Sequence, residues 1–326
     1  LKRPLWPKLP AASQAPSPER QPERPARAMD GGAKAGSSDW MEGLRFGEGG
    51  EMCFPPRGQG AGDEQGTASI DVTDGDVALV SLGSYCGIKL SFRKLGIGSA
   101  TLPFDWMRTR IEKVIEFLQT DFGTFYDGLD DPIAVPGTNL LAFRGSGHSF
   151  WHDDIRDADA RDRLQRRIDR LAELGRTSPT TLFVRALCTT DELSRVDELH
   201  AELVQRFGGG GNRVFLLAIV CMQERTRGPV VCSSNPGLLL YCLHPSAHEH
   251  EKYGGEPAPF CEPVAWALRR IRRAPAAEEA LEFPSAAALL ASGGLTRRSM
   301  GLDGMNGVAS FAAAPAADGG QDAGPA

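Results

Sequence analysis

The sequence predicts a mixed α/β or α+β fold: a single domain of alternating strands and helices, with disordered N- and C-terminal tails. Between residues 77 and 272, short apolar runs bounded by Gly or Asp alternate with segments whose apolar residues recur every three or four positions. The first pattern is typical of buried strands and the second of amphipathic helices. Residues 1–76 are rich in Pro, Gly and Arg, and residues 273–326 in Ala and Gly, so neither stretch can bury enough apolar surface to offset the entropy of ordering.

The first strand and helix follow each other closely. The apolar run at 77–82 predicts a buried strand. Ile88, Phe92 and Leu95 then recur at helical spacing on one face of a helix, and Gly96 ends it. A strand-to-helix junction is therefore expected between residues 82 and 88.

Two later helices are predicted from their start signals. Thr109 with Glu112, and Thr189 with Glu192, have the spacing of capping boxes ahead of apolar stripes. The other predicted elements, in chain order, are short strands within 139–152, a charged helix over about 157–174, strands at 181–187, 213–220 and 238–243, and a closing helix at 263–271. No internal repeat and no second domain is evident.

Composition excludes several classes of protein. The net charge of −6 gives no electrostatic basis for binding nucleic acid. No apolar span is long enough to cross a membrane, and no secretory signal is recognisable. The 7 cysteines are odd in number and irregularly spaced, which indicates reduced thiols rather than a disulfide framework. We therefore expect an intracellular, cytoplasmic protein; the sequence leaves its oligomeric state open.

Cys86 is the most informative residue of the chain. It follows the apolar run and the Gly83-Ser84 turn, and a helix is predicted to begin directly after it. The N-terminus of a helix presents backbone N–H groups and a partial positive charge, both of which favour a thiolate. No other cysteine has a local setting that explains reactivity.

Two further segments could complete a thiol site. Asp105 lies between large rings in Leu102-Pro103-Phe104-Asp105-Trp106-Met107, and His152 ends an aromatic strand in Ser149-Phe150-Trp151-His152-Asp153-Asp154. A cysteine nucleophile needs a base that removes its proton and a third group that orients the base. Each residue also has a structural interpretation: Cys86 as a small buried side chain, His152 as a structural histidine, Asp105 as a turn or cap residue.

A family resemblance connects these segments. In order along the chain, the motifs that carry it are Ser81-Leu82-Gly83-x-x-Cys86, Arg93-Lys94-Leu95-Gly96, Pro103-Phe104-Asp105-Trp106, His152-Asp153 and Leu182-Phe183-Val184-Arg185. Together they resemble an uncharacterised family described as papain-like cysteine peptidases, over roughly residues 77–272. The resemblance implies a papain-like domain in which Cys86 is the nucleophile and His152 the base.

The third member of the site is left open by this resemblance. In papain-like enzymes it follows the histidine, which fits Asp191 or Glu192. Asp105 precedes His152 but stands in the better-defined motif, so we assign it to the site without a specific role. We expect thiol-dependent hydrolysis of a peptide or related acyl bond, with no cofactor and no metal. The alternatives are acyl transfer by the same pair and a non-catalytic ligand-binding module.

Two other features call for an explanation. The first is a Cys/His-rich stretch that contains Cys242, His244, His248, His250 and Cys261. It lacks the paired CxxC spacing of zinc sites, so a solvated loop is favoured, with a metal site or an alternative catalytic base as minor possibilities. The second is Arg185, whose charge inside an apolar strand predicts either a buried carboxylate partner, with Asp105 as the candidate, or a polar ligand.

Overall fold

The computed structural model describes residues 45–46, 52–53, 73–74, 77–98, 100–134, 141–248, 258–272 and 280–299. Within them the predicted mixture of strands and helices is confirmed. The elements are β1 (Arg45–Phe46), β2 (Met52–Cys53), β3 (Thr73–Asp74), β4 (Val77–Ser81), α1 (Gly87–Lys94), β5 (Met107–Thr109), α2 (Ile111–Gln119), β6 (Ile133–Ala134), β7 (Leu141–Arg144), β8 (His148–Phe150), α3 (Ala158–Thr177), β9 (Thr180–Ala186), α4 (Val196–Phe207), β10 (Arg213–Val220), β11 (Gly228–Cys232), β12 (Leu238–Cys242), α5 (Cys261–Arg272), β13 (Leu281–Phe283) and α6 (Ala286–Ala291).

A 7-stranded sheet, in the order β13-β11-β12-β10-β9-β4-β3, forms the centre of the domain. Its neighbours β4, β9, β10 and β12 are parallel and follow chain order, whereas β3 and β11 run antiparallel to β4 and β12. β4, β9 and β12 are buried along their whole length and are mainly apolar, although β9 also contains two threonines and Arg185. The parallel strands place their carboxyl ends at one edge of the sheet, where α/β proteins commonly bind ligands.

Helices cover both faces of this sheet. Val77 and Leu79 pack with α1 and α5 on one face, whereas Val80 and Leu82 pack with α2, α3, α4 and α6 on the other. This alternation follows from the two-residue period of a strand. Two apolar clusters, separated by the sheet, therefore hold the domain together.

The connection from β4 to β9 carries a second sheet, which has 4 strands in the order β5-β8-β7-β6. Met107 and Phe143 both pair with Phe150, and these apolar side chains join the core. Arg108 and Arg144 both pair with Ser149 in the adjacent row of the same sheet. Alternation along the strands therefore turns an apolar row towards the core and a polar row away from it.

The start of α2 differs from the prediction. Its N-cap is Arg110, which makes no side-chain capping bond, so the predicted capping box of Thr109 and Glu112 is wrong. Instead, the backbone N–H of Ile111 donates to the Glu192 carboxylate at 3.0 Å. The cap is supplied by a residue distant in sequence because the Thr109 side chain is engaged elsewhere, donating to the carbonyl of Leu82 at 3.5 Å.

The ends of the domain also extend past the predicted limits. β3 precedes residue 77 and pairs with β4, while β13 and α6 follow residue 272 and join the sheet and the core. These segments of the predicted tails are folded, and most other residues of 1–76 and 273–326 lie outside the described residues. Among the described helices, none is both long and apolar enough to cross a membrane.

His148 gives the fold a specific sensitivity to acid. Its imidazole is buried, with the rings of Phe117 and Phe150 at centroid distances of 5.0 Å and 5.9 Å. Burial, together with the charge of Lys113, lowers the pKa of His148 to about 4, and the backbone of Phe125 and the charges of Glu116 and Asp127 oppose part of this shift. The folded state therefore resists protonation of this ring.

We predict that stability falls as the pH drops from about 6.5, the unfolded histidine value, to about 4. A histidine with a lowered folded-state pKa contributes its full stability above the unfolded value, and the loss on acidification is about 3 kcal/mol. Urea unfolding of the wild type and of His148→Phe, repeated between about pH 6.5 and pH 4, measures this loss in the free energy of unfolding. The variant should lose this part of the pH dependence, and His244→Gln, at a less buried histidine, should keep it. Equal slopes for wild type and His148→Phe would contradict the prediction.

Candidate active site

The turn between β4 and α1 has an unusual backbone. Gly83 and Ser84 have φ angles of 72° and 84°, in the left-handed region. A Cβ atom on Gly83 would lie 3.0 Å from both the carbonyl oxygen of Phe104 and Oγ1 of Thr109. Glycine is therefore required for both the conformation and the close approach of the Phe104 segment.

Cys86 is placed by this turn at the N-cap of α1. It is 4 % exposed, and its carbonyl accepts the N–H of Leu90 at 3.0 Å, the first bond of the helix. The first turn of α1 contains no acidic residue. The helix dipole therefore acts near the thiol without an opposing carboxylate from that turn.

The neighbouring residues hold the N-terminus of α1 in position. A Cβ atom on Gly87 would lie 2.5 Å from the ring of Tyr85, so glycine lets that ring pack over the helix start. The ring also contacts Phe260 edge-on at 5.9 Å. The hydroxyl of Ser91 donates to the carbonyl of Gly87 at 2.8 Å and accepts the N–H of Phe260 at 3.1 Å.

A small pocket next to this turn brings two of the predicted site residues together. Its empty space, including part open to solvent, is about 190 Å³. The lining residues are Tyr85, Cys86, Trp106, Met107, Arg108, Trp151 and His152. This volume is below that of ordinary small-molecule sites, so the pocket can enclose a reacting group but not a whole substrate.

His152 enters the pocket from the segment that follows β8. Its ring contacts Trp106 edge-on at a centroid distance of 5.7 Å. The next residue, Asp153, is buried and pairs with Arg163 at 3.4 Å and Arg167 at 3.3 Å on α3. The His152-Asp153 motif therefore has two distinct positions: a ring at the pocket and a carboxylate that anchors the segment to a helix.

Asp105 lies in a buried ion pair rather than in the pocket lining. Its carboxylate is 3.2 Å from Nζ of Lys89 and accepts the N–H of Leu102 at 2.9 Å. Lys89 also donates to the carbonyls of Gly98 and Ala100 at 2.8 Å and 2.6 Å. Asp105 thus fixes its loop to α1, and its assignment to the site stays a prediction.

Arg185 is the centre of the polar network beneath the turn. It is fully buried and donates to the carbonyl of Leu82 at 3.1 Å and to the carbonyl of Thr109 at 2.6 Å. Its carboxylate partner is Glu192, at 3.2 Å. The predicted buried carboxylate partner is therefore confirmed, but Asp105 as the candidate is wrong, because Lys89 holds that carboxylate. Although desolvation opposes it, the charge of Glu192 keeps the pKa of Arg185 above its ordinary value.

The two residues considered as a third member after His152 lie in different surroundings. Glu192 is buried and also accepts the N–H of Cys188 at 2.9 Å, so its carboxylate serves the network around Arg185. Asp191 is exposed and pairs with Arg297 at 2.6 Å. The capping bond predicted from Thr189 is not formed by its side chain, and the 3-10 turn Thr190–Arg195 precedes α4 instead.

The Cys/His-rich stretch is not assembled into a site in the described part of the chain. Burial raises the pKa of the Cys242 thiol to about 12, and the ring of His248 contacts Phe260 at 5.8 Å. Among the residues described, no group of three or more His, Cys, Asp and Glu could hold a metal ion. His250 lies outside the described residues.

Sequence reasoning missed Arg108 in the pocket and Arg144 beside it. Residues 107–109 form a strand, and its alternation turns Arg108 away from the core side chains of Met107 and Thr109. A helix cap had been predicted there, which hid this alternation. Recognising 107–109 as a strand would have identified Arg108.

Comparison with known proteins gives a family match for the part of the chain that contains this pocket. Residues 77–218 match a protein-family model described as "Putative papain-like cysteine peptidase (DUF1796)", and the resemblance predicted from the motifs is confirmed over that range. The matched region includes Cys86, Asp105 and His152.

A relative is found in Acanthamoeba polyphaga mimivirus. It is an uncharacterized protein that is 28 % identical over 173 residues, covering 44 % of this chain and 78 % of the relative. No solved structure matches this chain significantly.

We predict that Glu192→Gln destabilises the fold by about 3–5 kcal/mol, because it leaves the buried guanidinium of Arg185 without a counter-charge. Glu198→Gln is the matched control. Glu198 pairs with Arg195 where the two side chains are 46 % and 37 % exposed, so its loss should change stability by less than about 1 kcal/mol. Urea unfolding of both variants checks the difference. Equal changes in the free energy of unfolding of the two variants would contradict the prediction that the buried pair stabilises the fold more than the exposed pair does.

Proposed function

We propose that the protein is a cysteine-type acyl hydrolase that cleaves a peptide or related acyl bond, with Cys86 as nucleophile and His152 as base. The observation that carries the proposal is that one pocket is lined by both residues, with Cys86 at the N-terminus of a helix. The match of residues 77–218 to a family described as papain-like peptidases supports the same chemistry.

The helix favours the reactive form of the nucleophile. The first N–H groups of α1 have no intrahelical acceptor, and the positive end of the helix dipole lies at Cys86. Both effects stabilise a thiolate, and they also stabilise an oxyanion that develops on a carbonyl bound there. The N-terminus of α1 thus contributes both to forming the nucleophile and to stabilising the oxyanion.

The reaction follows from these positions. The Cys86 sulfur attacks the substrate carbonyl carbon, a C–S bond forms, and the carbonyl electron pair moves to oxygen. As the tetrahedral species collapses, the C–N bond breaks and the leaving amine takes a proton from His152. Water, deprotonated by His152, then attacks the thioester, which releases the carboxylic acid and returns the thiolate.

The pocket walls position the base and limit access. Trp106 contacts the ring of His152, and Trp151 lines the same pocket. Large rings on these sides restrict water around the reacting atoms. Asp105 acts as a positioning residue in this proposal, because its pair with Lys89 fixes α1 three residues after the nucleophile.

We predict that iodoacetamide alkylates Cys86 at about pH 6, where an ordinary thiol is mostly protonated, and that His152→Ala suppresses this reaction. Site-resolved mass spectrometry separates Cys86 from the other thiols. Cys261, which is partly exposed and also begins a helix, serves within each sample as a reference thiol that shares the helix dipole but does not line the pocket. His244→Gln is the matched histidine control and should behave as the wild type. A pH profile at Cys86 that equals that of Cys261, unchanged in His152→Ala, would contradict the proposal.

Product analysis distinguishes hydrolysis from transfer. With a peptide library as substrate, we expect cleavage products that end in free carboxylates, even when a primary amine is added as competitor. Cys86→Ser should reduce turnover by at least about 1,000-fold, since the nucleophile is lost. Amide products formed with the added amine would assign the same pair to an acyl transferase. Full biological activity of Cys86→Ser would leave a ligand-binding module as the function.

A further inference from the structure

A polar row crosses the second sheet next to the pocket. In this row Arg108 on β5 and Arg144 on β7 both face Ser149 on β8. Neighbours across a sheet share one face, so the two arginines flank Ser149 on the side opposite the core row. Ser149 is fully buried and Arg144 is 9 % exposed, so these two residues are covered, whereas Arg108 is partly exposed.

Trp151 joins the row to the pocket. Its indole Nε1 donates to the hydroxyl of Ser149 at 2.7 Å, which holds the ring over the middle of the row. The guanidinium carbons of Arg108 and Arg144 lie 4.1 Å and 5.1 Å from the ring centroid. The separation between the two guanidinium carbons therefore cannot exceed the sum of these two distances. Two cationic groups therefore converge on one ring that also lines the pocket.

Arg144 differs from two other buried arginines in what surrounds its guanidinium. Its Nε is buried without a hydrogen-bond partner, and no carboxylate pairs with it in the part of the chain that the structure describes. Arg167 and Arg185, which are 3 % and 0 % exposed, are buried more deeply than Arg144, and each pairs with a carboxylate. A buried cation without an anion is strongly unfavourable, and contact with a ring offsets only part of that penalty.

The two acidic residues that follow β8 in the sequence are already engaged. Asp153 pairs with Arg163 and Arg167, and Asp154 pairs with Arg156. Arg108 itself lines the pocket beside Cys86. The positive charge of the row therefore continues to the candidate nucleophile.

We propose that the substrate carries an anionic group, a carboxylate or a phosphate, which binds Arg144 and Arg108 beside Trp151 while its carbonyl lies at Cys86. The substrate class in this inference rests on the proposed function. Guanidinium groups bind both anions through paired N–H donors, and burial strengthens such bonds. The small pocket fits this arrangement, because it needs to enclose only the reacting carbonyl.

The test compares two alkylating reagents of similar size and different charge, iodoacetate and iodoacetamide. For each thiol we divide the rate constant for iodoacetate by that for iodoacetamide. We expect this ratio to be about tenfold larger at Cys86 than at Cys261, as one charge-assisted contact would give. Arg144→Gln and Arg108→Gln should each lower the ratio at Cys86 towards that of Cys261, and Arg144→Lys should retain part of it. Circular dichroism checks that each variant is folded.

Arg156→Gln is the matched control for these variants. The Arg156 guanidinium also lies over a ring, that of Phe143 at 5.5 Å, but it is exposed and paired with Asp154. Its removal should leave the ratio unchanged. A Cys86 that reacts readily with both reagents, with a ratio insensitive to Arg144 and Arg108, would overturn the anion site and leave the proposed nucleophile intact.

A second measurement tests the anion site without the thiol. Inorganic phosphate and succinate are added separately to the Cys86→Ser protein, and the unfolding midpoint is followed with concentration. We expect a saturable rise with one of them, which identifies the group, and its loss on the additional Arg144→Gln change but not on Arg156→Gln. No rise with either probe would overturn the inference. If the unfolding midpoint rises with one probe but Cys86 of the wild type does not react with the alkylating reagents, the anion site is retained and the proposed hydrolase is refuted.

Discussion

The ion pair between Arg185 and Glu192 is the constraint on which the rest of the domain depends. From the second strand of the parallel sheet, the Arg185 guanidinium holds the end of the first strand through Leu82 and the small sheet through Thr109. The carboxylate of Glu192 completes the network by capping α2 at Ile111. Leaving the fully buried Arg185 unpaired would be strongly unfavourable, so the positions of these separate segments are fixed together. The turn that carries Cys86 begins at Leu82 and is therefore held by the same network.

The two motifs that carry the family resemblance form one packing unit. Gly83 approaches Phe104 so closely that a side chain at position 83 would contact its carbonyl oxygen, and Lys89, one helical turn after Cys86, pairs with Asp105. The contact between the thiol turn and the loop that follows α1 thus explains the presence of Gly83 and Asp105 in these motifs. The Asp105 carboxylate joins its loop to α1 through this packing, and it is not among the residues that line the pocket.

Local patterns predicted most of the regular structure, whereas contacts between distant residues escaped prediction. The periodicity of 77–82 and of Ile88, Phe92 and Leu95 identified β4 and α1 correctly, since burial dictates those patterns directly. Cys86 and His152 were selected by their positions at element ends, and the pocket contains both. The cap of α2 and the row of Arg108 and Arg144 depend on strand register and on residues far along the chain, which no local pattern encodes. β11 was missed because it begins with Gly228 and Pro229, which normally mark turns.

The separation in sequence between the thiol turn and the residues that hold it has a consequence for biosynthesis. Leu82 is bonded to a residue 103 positions later, and Ile111 to one 81 positions later. During translation, Cys86 leaves the ribosome long before the strand that supports its turn. The nascent chain therefore carries an unfinished pocket and an unprotected thiol until β9 and the following turn emerge and the parallel pairing of β4 with β9 can form. Completion of the thiol turn is thus a late event of synthesis, although the turn itself lies early in the sequence.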